Sequence, residues 1–265
     1  KAQEVFDELP ERNVVSWSAL VSGYAQHGFG EEAVKYFHRM QAEGVSPNAI
    51  TFISILKACG NIGSLNTGGE IHKEVMKQML LEDNLVLGVA LLDMYAKCGV
   101  LVKAQEIFDR LILIQDVVPW NALMAGYAQL GHAKEVLNLF NKMRGKGFLP
   151  NLVTFLIMLT ACSHAGLVEE GQTLFNDMST MYQLTPNLEH YTCMVDLFSR
   201  SGHFDKAIAV IETVQSSDRL PLWLVLLGAC HKWANVELGR WAFEQSVELD
   251  KKCAATYVSM GNIYA

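Results

Sequence analysis

The chain has 265 residues, 51% of them hydrophobic and only 18% charged, so a large buried core is available and disorder is not expected. A net charge of −7 argues against a surface that grips a phosphate backbone over its whole extent, although basic residues can line one face while acids cover another. No apolar run approaches the ~20 residues that span a bilayer, and the opening residues, without an initiator Met or a leader, suggest an excised piece of a longer protein.

Residues 1–13 read as the second helix of a short helical hairpin, because Lys1-Ala2-Gln3-Glu4 returns as Lys103-Ala104-Gln105-Glu106. Trp17, Leu20, Val21, Tyr24 and Ala25 then fall at i, i+3, i+4, i+7 and i+8, one stripe of an amphipathic helix. Gly28 ends that helix where the chain must turn through positive φ. A second helix follows with Ala33, Phe37 and Met40 on one face, and Pro47 closes the unit, since proline cannot continue a helix interior. Thr51, directly before Phe52, is the expected N-cap of the next helix. The same run reappears 103 residues later as Trp120, Leu123, Met124, Tyr127 and Ala128, with Gly131, the face Val136, Phe140 and Met143, then Pro150 and Thr154.

Helix-opening aromatics stand at Trp17, Phe52, Trp120, Phe155, Tyr191 and Trp223, with Gly88 where a seventh is due, in steps of 35, 36, 32, 35, 36 and 32 residues. The units are therefore 14–48, 49–84 and 85–116, then 117–151, 152–187 and 188–219, each a hairpin of helices ~12–14 residues and about 20 Å long. From Leu220 the pattern loosens over 220–253, where Trp233 and Trp241 have no earlier counterparts, and 254–265 resembles the first helix of one more unit. Tandem units of this length cannot bury an apolar face alone, so the predicted fold is all-α, a right-handed superhelical solenoid of helix-turn-helix hairpins. Function in such a fold is sought in a row of equivalent positions rather than one pocket.

Six cysteines do not form a metal site by spacing, because no two are C-x₂₋₄-C. Cys59, Cys162 and Cys230 each follow a helix-opening aromatic by seven residues, where other units have Tyr24, Tyr95, Tyr127 and Phe198, so they read as core. The histidines follow no catalytic or ligand spacing; His164 and His231, each just past a core Cys, read as capping or solvated. A cytidine deaminase needs an H-x-E motif and a P-C-x-x-C pair to hold zinc, and we read neither in the chain. No Gly-rich phosphate loop or nucleophile elbow is present either. We expect no catalysis, metal, cofactor, small-molecule substrate or membrane contact from these residues.

Val14-Val15-Ser16-Trp17-Ser18-Ala19-Leu20 with Gly23-Tyr24-Ala25 closely resembles the opening of a pentatricopeptide repeat. The 35/36/32 alternation resembles the P, L and S repeats of the plant organellar PLS subclass. Asp93-Met94-Tyr95-Ala96-Lys97-Cys98-Gly99 is similar to an S-type unit. Leu56-Lys57-Ala58-Cys59 and Thr160-Ala161-Cys162-Ser163-His164-Ala165-Gly166 are similar to L-type ones. His190-Tyr191 with Met194-Val195-Asp196-Leu197 resembles the last S-type unit, and Leu226-Leu227-Gly228-Ala229-Cys230 the E-type extension after it.

The resemblance implies single-stranded RNA binding, about one nucleotide per repeat, that specifies cytidines for C-to-U editing in mitochondria or chloroplasts. It assigns base reading to the fifth and last residues of each unit: Ser18 with Asn48, Ile53 with Asn84, Val89 with Asp116, Asn121 with Asn151, Leu156 with Asn187, and Thr192 with Arg219. Ser18 with Asn48 should favour adenine, and Asn121 with Asn151 a pyrimidine, cytosine ahead of uracil. Ile53 and Leu156 have no hydrogen-bonding group and should discriminate weakly. Arg219 departs from the usual acid or amide and is equally suited to a phosphate. The RNA is expected to run 5′ to 3′ from N- to C-terminus, with the last S-type unit four nucleotides upstream of the edited cytidine.

The fifth residue follows the helix-opening aromatic, so by helical spacing it leaves the buried stripe and faces the groove, while the last residue lies directly before the next first helix. Small polar side chains there can read the edge of an unstacked base. Apolar Val15, Ile50, Val86, Val118 and Val153 are placed to wedge between bases. Two other readings stand beside this one. Asn at the end of four units is also ordinary turn chemistry, Pro-Asn after a helix being a common stop. The array as a whole also fits a protein-interaction scaffold that recruits small editing-factor proteins or a cytidine deaminase without strong RNA binding of its own.

Overall fold

The computed structural model describes residues 2–81, 84–112, 116–215 and 219–264; Lys1 of the opening motif and Ala265 lie outside them. Among the described residues there are sixteen α-helices and no strand, as the periodicity predicts. None is long and apolar enough to cross a membrane. The chain divides into two compact units, Lys1–Leu130 and Gly131–Ala265.

The first unit holds α1 (Ala2–Asp7), α2 (Val14–Gln26), α3 (Gly30–Ala42), α4 (Ala49–Ile62), α5 (Leu65–Lys77), α6 (Leu85–Lys97), α7 (Leu101–Leu111) and α8 (Val118–Gln129). Helices α2, α4, α6 and α8 pack side by side in that order. Each of α3, α5 and α7 packs on both the helix before it and the helix after it. The result is two layers, with every second helix bridging two first helices. The second unit repeats the scheme with α9 (Ala133–Gly145), α10 (Leu152–Ala165), α11 (Val168–Thr180), α12 (Leu188–Arg200), α13 (Phe204–Thr213), α14 (Leu220–Lys232), α15 (Val236–Leu249) and α16 (Ala254–Tyr264). There α10, α12, α14 and α16 form the layer of first helices.

The core sits between the layers, and the helix-opening aromatics fill it except Tyr191, which is half-buried. Trp17, Phe52, Trp120, Phe155 and Trp223 are all buried. Trp17 meets Phe6 of the preceding helix edge-on at 4.6 Å, and Trp120 meets Phe108 in the same way at 4.8 Å. Phe37 approaches Phe52 at 6.3 Å and Phe140 approaches Phe155 at 6.1 Å, one period apart. At Gly88 the missing ring is replaced from outside: a Cβ there would come within 2.6 Å of the Leu111 side chain. Cys59, Cys162 and Cys230 are buried free thiols, and burial pushes their pKa up to about 12, about 12 and about 11.

Turn chemistry follows the sequence at Gly28 and Gly131, which have φ of 81° and 77° just after their helices. The helix starts differ from expectation. Thr51 and Thr154 are not N-caps but third residues of their helices, and the N-caps are Asn48 and Asn151, three residues earlier. Each Asn is extended, so its side-chain oxygen reaches the Thr N–H while the Thr hydroxyl accepts the Asn N–H, a reciprocal capping box.

First helices approach so closely that one glycine is decisive. A Cβ on Gly126 of α8 would stand 2.4 Å from the Ala96 Cβ of α6, a group with no rotamer through which to move away. Gly126→Ala is therefore expected to destabilise by about 1–3 kcal/mol through overpacking. Gly23, one period earlier, has nothing within 4 Å of its Cβ position, and Gly23→Ala should gain up to about 1 kcal/mol of helix propensity. Thermal melting followed by circular dichroism separates the two; equal shifts would contradict this packing.

Candidate functional site

Within each compact unit the first-helix layer brings together the N-terminal turns of successive first helices. Each begins with a capping residue, then an apolar residue, and one turn later the fifth residue of its unit. Asn13, Asn48, Asn151 and Asn187 each close a capping box, and Asn84 accepts from Leu87 N at 3.0 Å. Asp116 stands one residue before Val117, the N-cap of α8, and accepts from Val118 N at 2.8 Å. The oxygens of these residues are thus committed to backbone N–H groups at the start of the following helix.

At Asn48 the oxygen Oδ1 accepts from Thr51 N at 2.9 Å and Thr51 Oγ1 at 3.0 Å, with Ser18 Oγ at 3.4 Å. Its amide nitrogen meets no acceptor among the described residues. The cap therefore fixes which end of the amide points inward and leaves an N–H₂ donor for a ligand. Asn187 is held similarly, its oxygen accepting from Glu189 N and His190 N. His190 is itself buried, with Nδ1 against that oxygen and Nε2 2.9 Å from the Leu152 carbonyl of α10.

The fifth residues correct a sequence expectation. Ser18 and Asn121 do not leave the buried stripe: they are 5% and 7% exposed. A first helix is flanked by a neighbour on each side as well as by second helices, so its buried arc is wider than one amphipathic stripe. Ser18 lies against the start of α4, with its hydroxyl 2.6 Å from that of buried Thr51. Ile53, Val89, Leu156 and Thr192 are half-buried. Thr192 donates its hydroxyl to the Leu188 carbonyl at 2.8 Å. Arg219 donates to the carbonyls of Val214 and Glu212 at 2.7 and 2.8 Å, closing the end of α13. Those bonds hold its Nε and one Nη back from a ligand.

The second residue of each of the five units that open at 14, 49, 85, 117 and 152 is exposed and apolar. Val15, Ile50, Val86, Val118 and Val153 are between 44% and 70% exposed. At Val15, Ile50, Val86 and Val153 this apolar residue stands two positions after a capping Asn. At α12 the row changes to Glu189, which is exposed.

Sequence reasoning overlooked a recurring charged pair on the first helices α6 and α12. Asp93 pairs with Lys97 at 2.8 Å, and one period later Asp196 pairs with Arg200 at 2.7 Å. These lie one and two turns after the fifth residues Val89 and Thr192, on the same helical face. The i, i+4 spacing and its recurrence were the available signal.

The sequence does contain one H-x-E triplet, His72-Lys73-Glu74 on α5. His72 Nδ1 lies 2.9 Å from the Tyr95 hydroxyl, and burial, aided by Lys103 and Arg110, lowers its pKa. Among the described residues no three His, Cys, Asp or Glu side chains are grouped to hold a metal ion.

Comparison with known proteins bears on this row. Residues 12–61 and 115–164 match the PPR repeat family, and 89–113, 153–181 and 189–218 match the PPR repeat, together more than half of the chain. Pentatricopeptide repeat-containing protein At4g30700 of Arabidopsis thaliana is 39% identical over 264 residues, covering 100% of this chain and 33% of that protein. The Arabidopsis thaliana protein At1g77170, mitochondrial, is 38% identical over 265 residues, covering 100% of this chain and 56% of its own length. The chain thus spans from about a third to a little over half of these relatives. The crystal structure of pentatricopeptide repeat protein PPR10 in complex with an 18-nt psaJ RNA element aligns with a TM-score of 0.57 at 16% identity, over 99% of this chain and 44% of that one. PPR10 from maize aligns at 0.54 and 20% identity, over 99% and 43%.

Proposed function

Because this chain belongs to the pentatricopeptide repeat family, we propose that it binds single-stranded RNA in a sequence-selective way, about one nucleotide per repeat. The observation that carries the proposal is the recurring pair of a capping residue with its inward oxygen committed and an exposed apolar neighbour. At Asn48 the N–H₂ end of the cap can meet the edge of a base, and the apolar side chain can insert between bases. Support also comes from the likeness to PPR10, which was crystallised with an RNA element.

The fixed amide of Asn48 offers a donor, which suits a base whose ring nitrogen accepts: adenine or cytosine. Ser18 is small, leaving room for a purine, so the unit at 14–48 selects adenine. Asn121 is larger, so the unit at 117–151 selects cytosine. Ser18 acts in this scheme as a positioning residue, through its contacts with Thr51 and Asn48. Thr192 with Arg219, Val89 with Asp116, Ile53 with Asn84 and Leu156 with Asn187 complete the set as weaker readers.

More finely, we propose that the units are P-, L- and S-type in the order 14–48, 49–84, 85–116 and 117–151, 152–187, 188–219, with a partial S-type unit at 1–13 and E-type units from 220. The RNA would be an organellar transcript, in mitochondrion or chloroplast, and the role to mark a cytidine for C-to-U editing by an enzyme acting in trans or in the remainder of the protein. Exposed Trp233, Tyr257 and Val258 of the C-terminal helices favour a protein partner there as well. The test is a mobility-shift comparison of an RNA with adenine three nucleotides upstream of cytosine against a scrambled RNA of equal length. We expect at least about tenfold tighter binding to the first, from one or two base contacts of ~1–3 kcal/mol each. Equal affinity would overturn the proposal.

A further inference from the structure

At the start of α12 an imidazole faces two acceptors. His190, the third residue of that helix, is 1% exposed. Its Nδ1 lies 2.5 Å from Asn187 Oδ1 and its Nε2 2.9 Å from the Leu152 carbonyl of α10. The cap holds the Asn187 amide with its oxygen inward, because that oxygen also accepts from Glu189 N at 3.1 Å and His190 N at 3.3 Å. Neither carbonyl oxygen has a proton to give, and a neutral imidazole carries only one N–H. The Asn187 backbone N–H also approaches Nδ1, at 3.4 Å, a contact that suits the bare nitrogen of the neutral ring. The site therefore has two states. An imidazolium clamps the amide oxygen; a neutral ring keeps Nε2–H on Leu152 and turns a lone pair towards that oxygen. In the boxes of Asn48 and Asn151 the same place is held by Thr51 and Thr154, whose hydroxyls donate to the Asn oxygen and accept the Asn N–H without titrating.

We propose that His190 is a positioning residue for the base met by Asn187, and that its proton decides which end of that amide faces the RNA. The proposal rests on the RNA-binding reading and gives the unit at 152–187 a pH-dependent preference. With the proton in place, the amide oxygen is committed to Nδ1–H and two backbone N–H groups. The amide nitrogen is then left outward as a donor, which suits adenine or cytosine. Without the proton, the oxygen and Nδ1 oppose each other lone pair to lone pair. Asn187 is exposed, so its amide has room to turn over. It gives up the cap bonds, donates its nitrogen to Nδ1 and offers its oxygen to a base with a ring N–H, uracil or guanine. The titratable and charged groups at this end of the packed helices are few. They are Glu189, Tyr191 and Cys193 on α12, Asp177 near the end of α11, Glu212 near the end of α13, and Arg219 at the N-cap of α14. Helix α10 carries no titratable side chain from Leu152 to Ala161. Among the described residues none of these groups is ion-paired with His190, and Arg219 is turned to the carbonyls of Val214 and Glu212.

The test uses four RNAs that differ only at the nucleotide on the 3′ side of the cytosine read by the unit at 117–151. Mobility shifts are measured from about pH 5.5 to about pH 8, where a histidine ordinarily changes charge. At the acid end adenine or cytosine is expected to bind about five- to tenfold tighter than uracil or guanine, the scale of one base contact. That preference should vanish or reverse at the other end. His190→Thr and His190→Gln install capping-box residues that do not titrate, and each is expected to keep adenine or cytosine at every pH. Melting curves confirm that the variants are folded. Nitrogen-15 spectra of the histidine side chains of the free protein follow the proton directly. The signal missing from His190→Thr should show two N–H groups at the acid end and one at the other. A preference that stays constant with pH in the unaltered chain, or that changes equally in His190→Thr, overturns the role of His190. The unit at 14–48, whose box holds Thr51, is the internal reference. Its adenine preference beside a pH-independent position at 152–187 overturns this inference alone; the lack of any preference there at every pH overturns the base-reading proposal, and this one with it.

Discussion

Trp17→Ala is expected to destabilise the first unit by about 3–5 kcal/mol, the range for removing a fully buried large aromatic. Trp17 is 0% exposed, meets Phe6 edge-on at 4.6 Å and has the Arg39 guanidinium 5.7 Å from its ring centroid. It joins α2 to the helix before it and to α3, so its loss loosens the helix that carries Val15 and Ser18. RNA affinity should fall with stability. The indole N–H of Trp17 is buried without a hydrogen-bond partner among the described residues. Trp17→Phe removes that unpaired donor, whose burial costs about 1–3 kcal/mol, and so offsets part of the lost packing. Chemical unfolding of both variants checks this. A phenylalanine variant as unstable as the alanine variant would show that the indole N–H carries no penalty.

The second large effect is on specificity. Ser18→Asn combined with Asn48→Asp is expected to move the preferred base of that unit from adenine to uracil, by about tenfold or more. The cap should survive, because aspartate is as good an N-cap as asparagine and its charge suits the helix N-terminus. With one carboxylate oxygen committed to the cap, the other becomes an acceptor where Asn48 offered a donor. It then favours a base with a ring N–H, and the larger fifth side chain disfavours a purine. Asn48→Ala is the control that separates the two roles. It should cost about 1 kcal/mol through the lost cap and lose base preference without acquiring a new one. A mobility-shift series over the four bases at that position measures both. Retention of adenine by the double variant would contradict the roles given to Ser18 and Asn48.

Much of the fold was legible because its signals are local and repeated. The stripe Trp17, Leu20, Val21, Tyr24, the stop at Gly28 and the break at Pro47 recur 103 residues later, and each is explained by one residue's chemistry. The cap positions were misplaced because Asn48 and Thr51 are both good N-cap residues. The capping box uses both, and only backbone geometry says which is the cap and which the third residue. The burial of Ser18 and Asn121 was not legible from a helical wheel, because it comes from first helices packing laterally on one another. Gly88 looked like a gap; its filler, Leu111, arrives from the next helix.

The most direct test of the account is selection from a random RNA pool against this chain. It predicts enrichment of adenine followed, at the third position on its 3′ side, by cytosine, and loss of the adenine when Asn48 is replaced by alanine. A pool that stays unbiased, or that enriches a motif insensitive to Asn48, would contradict the claim that the capping amides read the bases.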